Sequence, residues 1–571
     1  MRFGREPDIV LLHPPSVYDF RELPIMFGPI SDVVPSTSIF EMYPIGFTAM
    51  AEYLGRQGFR VRILNLALRM LKSPRYDPET AIRRLNPRAF GIDLHWLPHA
   101  QGSLAVAAIC KRHHPHTPVI FGGFSSSYFY EELMARPEVD FVIRGDSAEE
   151  PLLLLMKALT GQGPRLEEVP NLVWKSREGR IIANPLTHVP EDLDHYQDNY
   201  GHMIRSALRH LDVKGMIPIH DWWSYPITAV MTCRGCVHEC SFCGGSRLGL
   251  RLLGNRAKPA FRSPQRIVED VLRIARFTSA PIFVVGDLRQ GGDSYADAIL
   301  EGLRGKGVRN HVVLELFTPA GQEYFGKVSK AIENFNLEMS PESHDPQVRG
   351  ASGKHYSNAQ LELTIQEALA AGCRKFDLFF MIGLPRQTPQ SVMETVDYCE
   401  ELLRRFGARL VPFVSPLAPF IDPGSPIYED PERYGYTLSC RSLEEFRTAL
   451  LKPSWKHALS YETKWMSRAQ IVDTTYEAAL RLNRLKGRFG LVDPETCEAV
   501  EERIGLARDL IERIDRIMEL PPEEQARALE ALRPSLDRVN SSTLCEKDEI
   551  KWPLPARNFH FLRIAWSLLK G

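Results

Sequence analysis

The stretch Thr232–Ser246, TCRGCVHECSFCGGS, does most to fix what this chain can become. It sets Cys236, Cys240 and Cys243 in the spacing C-x3-C-x2-C, with Phe242 just before the last of them. Upstream, Pro226–Thr232 (PITAVMT) is a short apolar run with β-branched residues, which predicts a strand. Arg234 and Gly235 then turn the chain into a loop. Three thiolates on one loop can converge on a single inorganic cluster. A four-iron cubane gripped by three cysteines leaves one iron without a protein ligand, where a substrate or cofactor can bind the metal directly. Two other readings stay open here. Structural zinc usually joins two short hooks across a longer segment, and no such segment separates these cysteines. A closed electron-transfer cluster would take Cys233 as fourth ligand, a spacing close to a ferredoxin run. Against it, Cys233 falls at the strand end, and the chain is far larger than a cluster carrier needs.

At 571 residues the chain has room for three or four domains with buried cores. Its 70 Lys and Arg nearly cancel its 71 Asp and Glu, so nothing in the balance points to nucleic acid. The opening MRFGREPDIVLLHPP holds an apolar run too short for a signal peptide or a membrane span. Ten cysteines, seven of them outside the trio, fit a reducing interior, so the expectation is a cytoplasmic protein without membrane partners.

Residues 1–165 alternate short apolar runs with amphipathic segments, the pattern of a doubly wound, Rossmann-like parallel sheet in an α/β protein. Strands are expected at 8–13, 60–65, 89–94, 118–121 and 140–144, with helices at 46–57, 79–85 and 102–113. Ligands of such sheets sit outside the carboxyl ends of the strands. Those ends carry Pro15-Ser16, His95-Trp96, Gly122-Gly123-Phe124-Ser125 and Gly145-Asp146. No G-x-G-x-x-G follows the first strand, so the nicotinamide and flavin fingerprint is absent. Residues 166–219 are read as a linker with a hairpin, 171–174 and 181–184, acting as a spacer.

Residues 220–430 repeat strand and helix: strands at 282–285, 312–316, 337–340, 375–382 and 411–414, helices at 264–277, 295–306, 323–335, 358–371 and 390–406. The series predicts a (β/α)6 partial TIM barrel with its active site at the carboxyl ends of the strands. Those ends carry Gly286-Asp287, Glu315, Ser340 and Glu342, and Ile382-Gly383. Residues 431–571 read as helical, with Trp455, His457, Tyr461 and Trp465 expected to pack rather than bind substrate. The tail Trp552–Gly571 is apolar and basic, and is expected to pack on the core.

T-C-R-G-C-x-x-x-C-x-F-C resembles the signature of radical S-adenosylmethionine (SAM) enzymes. The resemblance implies that Cys236, Cys240 and Cys243 hold a 4Fe–4S cluster and serve catalysis, that SAM chelates the open iron, and that Cys233 is a bystander. An electron from the cluster, supplied by an external flavodoxin- or ferredoxin-type donor, then yields a 5′-deoxyadenosyl radical. By the same resemblance Phe242 accompanies the SAM site and Gly286-Asp287 receives the SAM amino group. Ser340 and Glu342 meet the ribose, Arg349 the carboxylate, and Ile382-Gly383 flank the adenine; Glu315 is balanced between SAM contact and a salt-bridged rim. The N-terminal sheet, through LLHPP, IFGGFSSS and RGDSAEEP, resembles the cobalamin-binding domain often fused ahead of such cores. That resemblance places the corrin against Pro15, Ser16, His95, Trp96, Gly122, Gly123, Phe124, Ser125 and Gly145. It leaves open whether His95 ligates cobalt or hydrogen-bonds within its loop. Together the halves imply radical C-methylation of an unactivated carbon in a small molecule, by way of methylcobalamin. A cobalamin-assisted cyclisation or rearrangement and a non-catalytic redox or corrinoid sensor are the alternatives.

Overall fold

A computed structural model describes residues 6–550 and His560, except 30–33, 35, 197–199, 211, 213, 418, 542 and 543. Apart from His560, the apolar-basic tail lies outside these residues.

The first strand, β1 (Ile9–His13), is buried along its whole length. Alternation along it sends Ile9 and Leu11 to one apolar cluster and Val10 and Leu12 to another, so both faces of the sheet are covered. β2 (Val61–Asn65), β3 (Ala89–Asp93), β4 (Val119–Gly122) and β5 (Phe141–Ile143) join it in parallel, in the order β2-β1-β3-β4-β5. The helices Gly46–Arg56 and Glu149–Leu159 cover one face, and Ala100–His113 the other. The hairpin is not a free spacer. β6 (Leu172–Lys175) pairs antiparallel with β5, and β7 (Ile181–Ala183) with β6, which extends the sheet to seven strands.

A second, six-stranded sheet is parallel throughout, in the order β15-β14-β13-β12-β11-β8. Its strands are β8 (Thr228–Met231), then, beyond the small ribbon β9 (Cys233–Arg234) and β10 (Ala260–Phe261), β11 (Ile282–Val285), β12 (Val312–Leu316), β13 (Phe335–Glu342), β14 (Phe376–Ile382) and β15 (Leu410–Pro416). Strands β8 and β15 stay unpaired with each other, so this is an α/β partial barrel. Helix starts follow local chemistry. Ser263 accepts from the Arg266 amide with Pro264 in the first turn, and Thr388 caps the helix of Pro389 in the same way. Among the described residues the C-terminal region is helical at Arg468–Arg488, Pro494–Met518, Pro522–Ala531 and Arg533–Val539. A two-stranded antiparallel pair, β16 (Tyr436–Leu438) with β17 (Tyr461–Thr463), was not anticipated from the sequence. The segment around Met26 packs into the C-terminal helices: Asn540 accepts from the Phe27 amide and donates to the Ile25 carbonyl. No helix among the described residues is long and apolar enough to cross a membrane.

Candidate active site

The β9–β10 ribbon closes the base of the cysteine loop, pairing Cys233 with Phe261 and Arg234 with Ala260. Above it, the Cys243 amide donates to the Cys240 carbonyl at 3.2 Å and the Ser246 amide to the Cys243 carbonyl at 3.1 Å, so the chain coils tightly round the three thiols. The His238 amide donates to the Cys236 Sγ at 3.4 Å. None of the ten cysteines is in a disulfide. Burial raises the thiol pKa values, to about 11 at Cys236 and about 12 at Cys243. Neighbouring thiols push Cys236 and Cys243 further, and Asp422 adds to Cys243, so the three sulfurs lie within electrostatic reach of one another. Among the described residues no three His, Cys, Asp or Glu close on one metal ion. Because the ligating form is the thiolate, loading a cluster must release protons. Iron bound per chain at fixed iron and sulfide is expected to rise between about pH 7 and about pH 9, as each thiolate fraction grows about tenfold per unit; a flat profile would contradict the burial.

One cation sits over the thiols, and the sequence did not single it out. Lys354 pairs with Glu342 at 2.6 Å and donates to the Ser340 carbonyl, and its charge opposes the rise at Cys236 and Cys240. Burial alone would lower the Lys354 ammonium, but Glu342 outweighs it and holds it up at about 12. Glu342 is 1% exposed at a bulged, positive-φ end of β13, and its Oε2 has no hydrogen-bond partner. Burial raises its pKa, against the pull of Lys354. Gly353 makes this arrangement possible: a Cβ there would lie 2.7 Å from the Glu239 carbonyl oxygen, so the loop bearing Lys354 touches the cysteine loop backbone to backbone.

Arg349 does not face the thiols. Its guanidinium is 0% exposed and donates to the carbonyls of Ser343, His344 and Tyr356 and to Asn358, a clamp on its own loop. The Asp287 carboxylate is likewise engaged, by Arg289 and by the Phe317 amide. Glu315 takes the Gly286 amide instead, at 2.5 Å, and burial lifts its carboxyl to about 7. Gly286 itself sits under Thr232 and Cys233, where a Cβ would lie 2.9 Å from Thr232 Oγ1. Gly383 is enclosed by the C-terminal region: Tyr436 donates to its carbonyl, and a Cβ there would meet the Tyr461 hydroxyl at 2.5 Å. Ile382 is buried in the main core. Trp455 and Tyr461 pack, as expected. Phe242 is half-buried against the main core.

Between the two sheets lies a cavity of about 370 Å³. From the first sheet it takes His95, Gly122, Gly123, Phe124 and Gly145; from the second, Met231 and the loop residues Cys233, Arg234, Gly235 and Gly245. Apolar side chains such as Leu11, Phe47 and Leu152 form its depth. Gly123 is pressed on the backbone of His95, where a Cβ would lie 2.5 Å from its Cα. Pro15, Ser16, Trp96 and Ser125 are not on the wall. Pro15 and Ser16 lie under the helix beginning at Ala100, where a Cβ on Gly102 would meet the Pro15 carbonyl, and Trp96 turns away to Asp422. His95 is held by Asp93, whose Oδ2 meets His95 Nδ1 at 2.7 Å while its Oδ1 meets His13 Nδ1 at 3.0 Å. Burial would raise the Asp93 carboxyl, but the two imidazoles hold it far below the usual range. With Nδ1 occupied, Nε2 is the available nitrogen of His95.

Two buried ion pairs fasten this region to the first sheet. In the cysteine loop Arg234 meets Glu149 and Ser147, and beyond the helix Arg247–Gly254 Arg256 meets Asp146. Arg234 stood out only as part of the turn after the strand, and Arg256 not at all.

Two family models match the chain: the B12 binding domain over residues 32–154 and the Radical SAM superfamily over residues 230–399. The chain belongs to the cobalamin-dependent radical SAM enzymes. Its cofactors are cobalamin, SAM and a 4Fe–4S cluster. This radical SAM enzyme shares its fold with the radical SAM methyltransferase TsrM from Kitasatospora setae, at 14% identity and TM-score 0.58, over 86% of this chain and 90% of that one. It also shares it with the cobalamin-dependent radical enzyme OxsB, at 14% identity and TM-score 0.55, over 99% of this chain and 78% of that one. A curated relative, the anaerobic magnesium-protoporphyrin IX monomethyl ester cyclase of Synechocystis sp., is 24% identical over 174 residues. That match spans 30% of the enzyme and 31% of the relative, about a third of its length.

Proposed function

We propose that this enzyme methylates an unactivated carbon of a small molecule, with SAM as the source of both the methyl group and the radical. One observation carries the reading: the cavity at the carboxyl edge of the cobalamin-type sheet is walled on its other side by the cysteine loop. When bound, the cofactors supply a hydrogen-abstracting radical and a transferable methyl group. The chain's part is to hold them around one substrate position and keep water out. Cys236, Cys240 and Cys243 hold the cluster. Glu315, seated beside Gly286, and Lys354, seated beside Glu342, offer opposite charges at the strand ends for the amino and carboxylate groups of SAM. Ser340 and Glu342 remain at the ribose. His95, with Gly122, Gly123, Phe124 and Gly145, would face the corrin, and Asp93, by holding Nδ1 of His95, would leave Nε2 free to meet the cofactor. An external one-electron carrier in a reducing cytoplasm completes the set.

The test is anaerobic protein with SAM, a reductant and candidate substrates. 5′-Deoxyadenosine together with S-adenosylhomocysteine supports methylation. 5′-Deoxyadenosine alone, with cobalamin bound, supports the second reading, a cyclisation, which the named activity of the curated relative favours. No cleavage of SAM by a loaded protein would overturn both and leave a sensor.

A further inference from the structure

Besides these ion pairs, the cobalamin-type sheet reaches the cysteine loop through Asp422. Trp96, next in sequence to His95, donates from its indole Nε1 to Asp422 Oδ1 at 3.0 Å. The other oxygen of the same carboxylate, Oδ2, accepts from the amide of Gly244, the residue after Cys243, at 3.3 Å. Both oxygens of the Asp422 carboxyl group thus accept from an N–H donor, one on each side of the contact. Space is closed around the contact as well. A Cβ on Gly244 would lie 2.9 Å from the Asp422 Cβ, and one on Gly249 would lie 2.0 Å from the Gly244 carbonyl oxygen. Trp96 is further braced by Phe40, edge to face at 5.1 Å between centroids.

The contact reaches where the ion pairs do not. Arg234–Glu149 holds the chain before Cys236 and Arg256–Asp146 the chain beyond the helix Arg247–Gly254, whereas Asp422 holds the residue that follows Cys243 itself. We propose that Asp422 is a positioning residue: it joins the loop after His95 to the loop after Cys243 and so fixes the separation of cobalt and cluster. The inference rests on the cofactor assignment proposed above. It gives Trp96, which does not line the cavity, a role through Asp422 rather than against the corrin.

The experiment needs no substrate. Cob(II)alamin and the singly reduced cluster each carry one unpaired electron, and their dipolar coupling, read by pulsed electron paramagnetic resonance, falls with the cube of their separation. The loaded wild-type protein is expected to give one narrow distribution of coupling. In Asp422→Asn the amide offers a single acceptor oxygen, so one of the two bonds is lost. Trp96→Phe removes the other end of the bridge and keeps an aromatic ring on Phe40. Each variant is expected to widen the distribution about twofold, as a site does when its supporting contacts are removed. Iron and cobalamin content should be unchanged in both, which separates loosened geometry from failed folding. Distributions identical to wild type in both variants, with both signals present, overturn the bridge. A wild-type protein lacking either signal overturns the proposed function, and the bridge with it.

Discussion

Cys240→Ala is expected to lose bound iron and to reduce 5′-deoxyadenosine formation to background, while Cys233→Ala keeps both. The two thiols stand seven residues apart yet differ in surroundings. Cys240 lies within the charge of Lys354 and Glu342 and next to the backbone of Gly353. Cys233 is tied into the β9–β10 ribbon, places its Sγ 3.6 Å from the Gly235 carbonyl, and lines the cavity between the two sheets. A cluster held by three thiolates has no spare ligand, so losing one forfeits both the metal and the vacancy that SAM fills. Iron analysis and product chromatography on the two variants decide the matter. Loss of the cluster in Cys233→Ala would show a fourth ligand and end the radical assignment.

The second large effect concerns stability. Glu149→Ala removes the carboxylate that faces Arg234, leaving a side chain 10% exposed, with Ser147, the ring of Tyr196 and the charge of Asp146 near it. Breaking one side of a buried pair costs about 3–5 kcal/mol, because the remaining charge stays desolvated. Thermal unfolding should therefore begin at markedly lower temperature in Glu149→Ala than in wild type. The same pair sets an acid limit. Burial pushes the Glu149 carboxyl up, but Arg234 outweighs it and the net shift is downward. A carboxyl whose folded pKa lies below its unfolded value stabilises the fold above the unfolded value, near 4.5, and that contribution fades as pH falls through the folded one. Wild type should lose stability below that range more steeply than the alanine variant. Equal acid sensitivity would show that the pair contributes nothing net.

The strands and helices of both sheets were legible because each signal was local. Apolar runs marked strands buried on both faces, and the helix of Pro264 was read to the residue, while that of Pro389 was read one residue late, from 390. The antiparallel pair of β16 and β17 was not, since three residues on each side carry no periodicity to read. In the site, the cysteine spacing was sufficient to find the loop. Which of two cations in the next loop turns inward was not readable from it. Arg349 and Lys354 are five residues apart, and the choice depends on a helix ending at Ala351 and a positive-φ turn at Gly353. Likewise Asp287 and Glu315 are both acidic residues at strand ends. Only the fold shows that Arg289 has already claimed the first. Asp422 lay in a stretch with no motif at all, and its meaning comes from two residues far away in sequence.

The embrace of Ile25 and Phe27 by Asn540 has a consequence for synthesis on the ribosome. The apolar side chain of Met26 finds its cover in helices made more than 400 residues later, so it must wait through most of translation. Both cofactor-type sheets can form before then. The strap between them and the last helices is therefore the final seam to close, and until it does a nascent chain offers chaperones a greasy handle near its front end.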